Sequence, residues 1–231
     1  MEQNLLLMPT MITRTISLLV AIATNLFLVG LFYSALSNPL YFKDFIYKTG
    51  LMIFVIEFMS LHSSGMFFGA AQQAKKTGKK VMTTKVKIAM FAFYNLFVIV
   101  FASSTGQWLG ALYFFVSLAS KAVYSRAIDV EERLAPVAAG IAMLVISTFL
   151  VVFGAPLLAK WFPFPPEVLS ARPSGQSGLF INTPQTLMAW GVLYFTLMTL
   201  CELMIFRKSL AHSSGGRARG KITTAALERT P

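Results

Sequence analysis

The chain has 231 residues, of which 56% are hydrophobic and 13% are charged, and its formal net charge is +11. A soluble domain usually carries about 25% charged residues, so this composition leaves too little polar surface for a chain that faces water on all sides. The composition therefore indicates an integral membrane protein, in which the excess of positive charge sets topology and does not point to nucleic acid as a partner. A single cysteine, Cys201, excludes an intrachain disulfide and any cysteine-based zinc or iron–sulfur site.

Six segments of the chain are long and apolar enough to cross a bilayer, which takes roughly 20 residues. In chain order they are residues 11–33, 49–72, 87–104, 107–126, 136–159 and 186–206. The stretch SSTGQ at 103–107 must then be a tight turn between the third and fourth spans. We predict an all-α, polytopic bundle of six transmembrane helices in residues 1–208, followed by a disordered basic cytoplasmic tail in residues 209–231.

The positions of lysine and arginine predict the orientation of the bundle. With a cytoplasmic N-terminus, 16 of the 20 Lys and Arg residues fall in cytoplasmic segments and 4 in external ones. The same N-in/C-in topology places Trp108, Trp161 and Trp190 at the outer ends of their spans, as an interfacial aromatic belt would. The predicted location is the inner membrane of a bacterium. Alternatively, the first span is a signal peptide that is cleaved after SALS at 34–37, although this span is longer than the usual apolar core of a signal peptide.

Two connections between spans have distinctive compositions. The cytoplasmic loop 74–87 is rich in lysine and lacks acidic residues, so we expect it to contact anionic lipid headgroups, at about 1 kcal/mol for each cation. Docking of a nucleotide or a protein is the alternative for this loop, but no glycine-rich phosphate loop accompanies it. The external loop 160–184 has five prolines and several aromatic residues, which predicts an ordered cap at the membrane interface or a lid over a substrate path.

Ionisable side chains inside the predicted spans mark the candidate functional site, because a charge in hydrocarbon is costly and usually faces the bundle interior. They are Glu57, His62, Lys121 and Glu202. Lys121 and Glu202 each precede an arginine at the cytoplasmic boundary by the same number of residues, so both lie at a similar depth. We hypothesise an ion pair between them that joins the fourth and sixth helices. Separate snorkelling of each side chain to the headgroups is the alternative.

The fourth predicted span has a polar face. Tyr113, Ser117, Ser120 and Lys121 recur at helical spacing, whereas the opposite face is Leu, Phe, Val and Ala. This pattern predicts either a hydrated groove or hydrogen bonds between helices, which contribute about 0.6 kcal/mol each in membranes.

The second predicted span carries Glu57 and His62 within the sequence IEFMSLHSSGMFFG at 56–69. At about 100° per residue, their side chains are roughly 140° apart around a helix, so they cannot form a dyad on one face. Glu57 instead shares its face with Ser60 and Ser64, an arrangement that suits binding of a proton or a cation. Each of the two ionisable residues is therefore expected to meet a different neighbour.

His62 lies on another face of this span, together with Met59 and Met66. Thioether and imidazole groups are soft ligands that suit Cu(I), and His or Met can also bind haem, although two histidine ligands would require a second subunit. Packing is the competing interpretation, because Ser63, Ser64, Gly65 and Gly69 would let another helix approach closely. We expect no cofactor, with Cu(I) or a haem shared with another subunit as the alternatives.

These features favour a small transport protein or one that conducts ions or protons. The residues predicted to line the path are Glu57, Ser60, Ser64, Tyr113, Ser117, Ser120, Lys121 and Glu202. The first alternative is a non-catalytic structural subunit of a larger membrane complex, and the second is a membrane-embedded enzyme. An enzyme is disfavoured because the H-E-x-x-H motif is missing and the Ser–His neighbours at 62–63 point apart on a helix. We expect lipids and either further copies of the chain or other membrane subunits as partners.

Overall fold

The computed structural model describes residues 2–78, 83–106, 108, 110–112, 114–116, 130–172, 175 and 177–227. In these residues the chain forms α1 (Glu2–Ser37), a π-helical segment (Phe45–Gly50), α2 (Leu51–Thr77), α3 (Thr84–Thr105), α4 (Val130–Trp161), α5 (Pro166–Ser170), α6 (Leu179–Asn182) and α7 (Pro184–Leu227). This part of the chain contains helices and no strand, which confirms the all-α prediction.

Four of these helices are long and apolar enough to cross a membrane. Their candidate spans are Leu18–Ser37, Phe45–Met66, Val137–Trp161 and Pro184–Met204, which overlap the first, second, fifth and sixth predicted spans. The apolar part of α3, Ile88–Ser103, is shorter, and at 1.5 Å per residue it extends about 24 Å against a hydrocarbon core of about 30 Å. Most of the fourth predicted span lies outside the described residues, so six spans and the N-in/C-in orientation stay predictions.

Local sequence signals account for the ends of α2 and α3. α2 ends at Gly78 and α3 at Gly106, and both glycines adopt the left-handed conformation, with φ of 68° and 67°. Glycine is favoured there because it has no Cβ to clash with the backbone. α3 begins after Thr83, whose side-chain oxygen accepts a hydrogen bond from the Val86 amide at 3.4 Å. α3 thus ends within the SSTGQ stretch, where the sequence predicts a turn.

Short connections fix the directions of the four spanning helices. Residues 38–44 join α1 to the π-helical segment, which runs directly into α2, and residues 162–183 join α4 to α7. We call the end of the bundle at these two connections the cap end. The opposite end, where α2 leads to the basic loop 74–87, is the loop end. α1 and α4 therefore run towards the cap end, and α2 and α7 run towards the loop end.

α7 is the central helix, because it packs against both α1 and α4, and α4 also packs against α2. Glycines permit the closest of these approaches. A Cβ atom at Gly191 of α7 would overlap the Phe32 ring of α1, and a Cβ at Gly140 of α4 would lie 2.6 Å from Cδ2 of Leu61 on α2. The helices are thus held at distances that a larger side chain at either position would not allow.

Aromatic side chains fill the bundle near the cap end. Trp190 is fully buried, with its ring centroid 4.7 Å from that of Phe54 and 5.0 Å from that of Tyr194. The prediction that Trp190 belongs to an interfacial belt is wrong, because α7 is surrounded by other helices and turns this ring inward. Trp108 and Trp161 are 57% and 67% exposed, as a belt requires.

The connection between α4 and α7 is an ordered cap in its described part. It contains α5 and α6, and its Phe164 and Val168 side chains are buried in the same core as Trp190. At the other end of the chain, α7 extends to Leu227, although its candidate span ends at Met204. The division between a transmembrane domain ending at 208 and a tail in 209–231 stays a prediction.

Candidate functional site

Glu57 lies about midway along the candidate span Phe45–Met66 and is 5% exposed. The Tyr194 hydroxyl donates a hydrogen bond to Glu57 Oε2 at 2.9 Å, and this bond joins α2 to α7. The sequence predicted a buried, functional position for Glu57 but not its tyrosine partner. The carboxylate faces the bundle interior, as the cost of placing a charge in hydrocarbon requires.

Tyr194 is held rigidly by its aromatic neighbours. Its ring is fully buried, stacks on Trp190 with an interplanar angle of 8°, and meets the ring of Phe195 edge-on at 4.9 Å. Because the ring cannot tilt without displacing these neighbours, its hydroxyl stays directed at Glu57. Tyr194 is therefore the residue that positions the carboxylate.

The serines that share the helix face of Glu57 have mixed environments. Ser60 is 3% exposed, whereas Ser64 is only half-buried. The Ser64 hydroxyl donates to the Ser60 carbonyl oxygen at 2.7 Å, and the Ser63 hydroxyl donates to the same oxygen at 3.0 Å. In membrane helices, serine hydroxyl groups often donate hydrogen bonds in this way to carbonyl oxygens of their own helix. These two bonds stay within α2 and do not reach a neighbouring helix.

His62 meets a different helix from Glu57. Its Nδ1 lies 2.9 Å from the hydroxyl of Tyr94 on α3, and its ring is parallel to that of Phe58 at 6.1 Å. Tyr94 is buried in a second core cluster, which joins α2 to α3 and to residues 111 and 114 through Met52, Ile56, Tyr94, Val98, Ala102, Ala111 and Phe114. Glu57 and His62 lie on different faces of α2, as expected, and each contacts a different helix. Glu57 contacts α7 and His62 contacts α3.

The three residues considered as soft-metal ligands differ in their surroundings. Met59 packs against the second core cluster, whereas Met66 is 41% exposed and its sulfur lies 4.0 Å from the Tyr94 hydroxyl. In the described part of the chain, no group of three or more His, Cys, Asp or Glu side chains could hold a metal ion. The arrangement around His62 is thus a hydrogen bond with Tyr94 and a ring stack with Phe58.

Glu202 lies near the loop end of the candidate span Pro184–Met204 and is half-buried. The Asn25 side-chain amide of α1 donates to Glu202 Oε2 at 3.1 Å. Lys121, the partner hypothesised from the sequence, lies outside the described residues, so the ion pair is untested. The rest of the predicted polar face, Tyr113, Ser117 and Ser120, also lies outside them.

Among the described residues, three polar side-chain bonds that connect neighbouring helices each connect a different pair. Asn25 with Glu202 joins α1 to α7, Tyr194 with Glu57 joins α7 to α2, and His62 with Tyr94 joins α2 to α3. Sequence reasoning found one member of each pair by its charge. It missed the two tyrosines as partners, because a tyrosine in an apolar run is not distinguished from other aromatic residues by hydropathy.

Three buried polar atoms near the cap end have no hydrogen-bond partner in the described part of the chain. They are Tyr47 Oη, Gln185 Oε1 and Trp190 Nε1. Buried polar atoms of this kind usually bind ordered water.

Comparison of the chain with protein-family models, with curated proteins and with solved structures found no match.

Proposed function

We propose that this membrane protein transfers protons, with Glu57 as the residue that binds and releases the proton. The observation that carries the proposal is a carboxyl group placed midway along a candidate span, 5% exposed and hydrogen-bonded to a buried tyrosine. A group that can ionise is costly at this depth, so its presence is by default an indication of function.

A proton suits this site better than a metal cation. One partner of Glu57 is the Tyr194 hydroxyl, which donates, whereas a hard cation needs about six oxygen atoms that face it as acceptors. A single carboxyl group binds a proton without further ligands.

The Glu57–Tyr194 bond links proton binding to the contact between α2 and α7. An ionised Glu57 accepts the tyrosine O–H in a charge-assisted hydrogen bond, which is roughly twice as strong as a neutral one. Protonation of Glu57 removes the charge and weakens the bond. Occupancy by a proton therefore changes the free energy of the α2–α7 contact.

The remaining path is assigned from the polar residues closer to the loop end. Ser60 and Glu202 are described and lie between Glu57 and that end, together with Ser64. The polar face of the fourth predicted span, with Lys121, completes the proposed lining.

Proton flux into liposomes that contain the purified protein tests the proposal. Glu57→Gln preserves the shape of the side chain and its ability to accept the Tyr194 hydrogen bond, but it cannot ionise. We expect flux to fall roughly a hundredfold or more, the lower part of the range for a positioned proton-transfer group. The control is Asp44→Asn, because Asp44 is exposed and pairs with Lys48 at 3.2 Å outside the bundle interior. Equal flux for wild type and Glu57→Gln would refute the proposal.

A structural subunit is the second candidate, and one observation favours it. Each of the three polar bonds joins a different pair of helices, which is also the pattern expected if their role is to hold the bundle together. On this alternative, Glu57→Gln leaves any flux unchanged, and Glu57→Leu lowers the stability of the protein and its recovery with other membrane subunits.

A further inference from the structure

Four exposed residues follow one another along the outer face of α2: Phe58, His62, Met66 and Gly69. They recur at intervals of four, four and three residues, so they form one line parallel to the helix axis, which we call the α2 stripe. Three members are apolar or small, as a surface facing lipid requires. The imidazole of His62 is the exception.

Among the described residues, one nitrogen of the His62 imidazole has a hydrogen-bond partner and the other has none. Nδ1 is bonded to Tyr94, and among the described residues no hydrogen bond reaches Nε2. His62 lies within the candidate span Phe45–Met66, where hydrocarbon offers no hydrogen-bonding group. A polar group of another molecule that meets this surface would provide a partner for this nitrogen.

Tyr94 allows His62 to use either tautomer. If Nδ1 is unprotonated, the tyrosine O–H donates to it and Nε2 carries the hydrogen. If Nδ1 is protonated, it donates to the tyrosine oxygen, and the tyrosine O–H can turn to the sulfur of Met66 at 4.0 Å. Nε2 is a donor in the first case and an acceptor in the second.

From these observations we infer that the α2 stripe is the contact between two copies of this chain, with the two His62 imidazoles hydrogen-bonded to each other across a two-fold axis. In a symmetric dimer a residue on the axis meets its own copy, so the group there must be able to both donate and accept. His62 meets this condition because its two tautomers are both satisfied within the chain. Gly69 supports a close approach, since no atom lies within 4 Å of a Cβ placed there.

Cysteine cross-linking in native membranes tests the stripe. The background variant is Cys201→Ala, which removes the only cysteine of the chain. We expect oxidation or a short bis-maleimide to link Gly69→Cys into a dimer, because a disulfide needs Cα atoms within about 7 Å. The matched control is Gly154→Cys on α4, where a Cβ also meets no atom within 4 Å. Failure of Gly69→Cys to link, equal linking of both variants, or a product with a protein of another mass would each overturn the inference.

Association of the labelled protein in liposomes, measured by energy transfer at a series of protein-to-lipid ratios, tests the role of His62. We expect His62→Leu to weaken dimerisation about three- to thirtyfold, the range found for polar contacts between membrane helices. His62→Gln should retain dimerisation, because an amide carries both a donor and an acceptor. Monomeric wild type, or equal association of the wild type and His62→Leu, would show that the stripe faces only lipid.

Discussion

Tyr194 combines two environments in one side chain. Its ring lies in the aromatic core with Trp190 and Phe195, while its hydroxyl reaches Glu57 on another helix. The ring contacts bury apolar area, and the hydroxyl satisfies a group that hydrocarbon cannot satisfy. Replacing Tyr194 by phenylalanine separates the two contributions, because the ring is kept and only the hydrogen bond is lost.

We expect Tyr194→Phe to lower the free energy of unfolding by about 0.6–2 kcal/mol, the range measured for hydrogen bonds between membrane helices. Unfolding by sodium dodecyl sulfate, followed by circular dichroism, provides the measurement. The matched control is Tyr33→Phe, because Tyr33 is 60% exposed on α1. The same loss in both variants would mean that the bond to Glu57 contributes nothing specific.

At this scale, the sequence predicted the burial of Glu57 but not what this residue meets, and His62, which was also expected to face the bundle interior, is exposed. The angular separation of Glu57 and His62 followed from helix geometry alone, and the structure places their partners on α7 and α3 respectively. The partners lie 137 and 32 residues away in the chain. Such contacts depend on the packing of whole helices, which a hydropathy pattern does not specify.

At the scale of elements, α1 and α7 pack closely against each other. Phe32 of α1 occupies the space above Gly191 of α7, and it also contacts the rings of Phe45 and Phe195 at 5.3 Å and 5.9 Å. A fully buried ring with neighbours on all sides cannot move to admit a new methyl group. The separation of the two helices is therefore set by glycine at 191.

We expect Gly191→Ala to cost roughly 1–3 kcal/mol of stability, which is the usual penalty for adding a methyl group to a packed core. Gly154→Ala is the control, because a Cβ at that position meets no atom within 4 Å. Its stability should be unchanged or slightly higher, since alanine favours a helix. Unfolding by detergent titration measures both.

A second substitution shows whether the cost comes from Phe32. Combining Gly191→Ala with Phe32→Leu removes part of the ring that the new methyl group would meet. We expect the double variant to lose less stability than the sum of the losses in the two single variants, because the effects of substitutions at residues in contact are usually not additive. If the stability losses of the two single variants simply add up in the double variant, the cost of Gly191→Ala does not come from contact with Phe32.

The elements themselves were predictable to different degrees. Long apolar runs identified the four candidate spans, because the length of a helix that crosses a bilayer is fixed by the bilayer. The π-helical turn at Phe45–Gly50 was not predicted, since a wider backbone turn leaves no mark in composition. The prolines and aromatic residues of the connection predicted an ordered cap. They did not predict that Phe164 and Val168 are buried in the core.

At the scale of the whole molecule, the two ends of the bundle differ in chemistry. The cap end has the aromatic core and an ordered cap, whereas the loop end leads to a lysine-rich loop without acidic residues. Positive charge is retained on the cytoplasmic side of a membrane. The loop end is therefore predicted to be cytoplasmic.

Labelling by a membrane-impermeant maleimide in intact cells tests this orientation. In the Cys201→Ala background, we expect Ser177→Cys, exposed in the cap, to react before the cells are opened. Lys85→Cys, exposed at the start of α3, should react only after the membrane is made permeable. If Lys85→Cys reacts in intact cells and Ser177→Cys reacts only after permeabilisation, the orientation is the opposite of the one predicted.

The unequal burial of the three tryptophans has a spectroscopic consequence. Trp108 and Trp161 face outward, so brominated lipids should quench their fluorescence, whereas fully buried Trp190 is shielded from collision with the lipid chains. The emission that survives quenching therefore comes from one indole, stacked on the tyrosine that is bonded to Glu57. Its intensity and wavelength give an optical record of the surroundings of a carboxyl group that is itself invisible in that region of the spectrum.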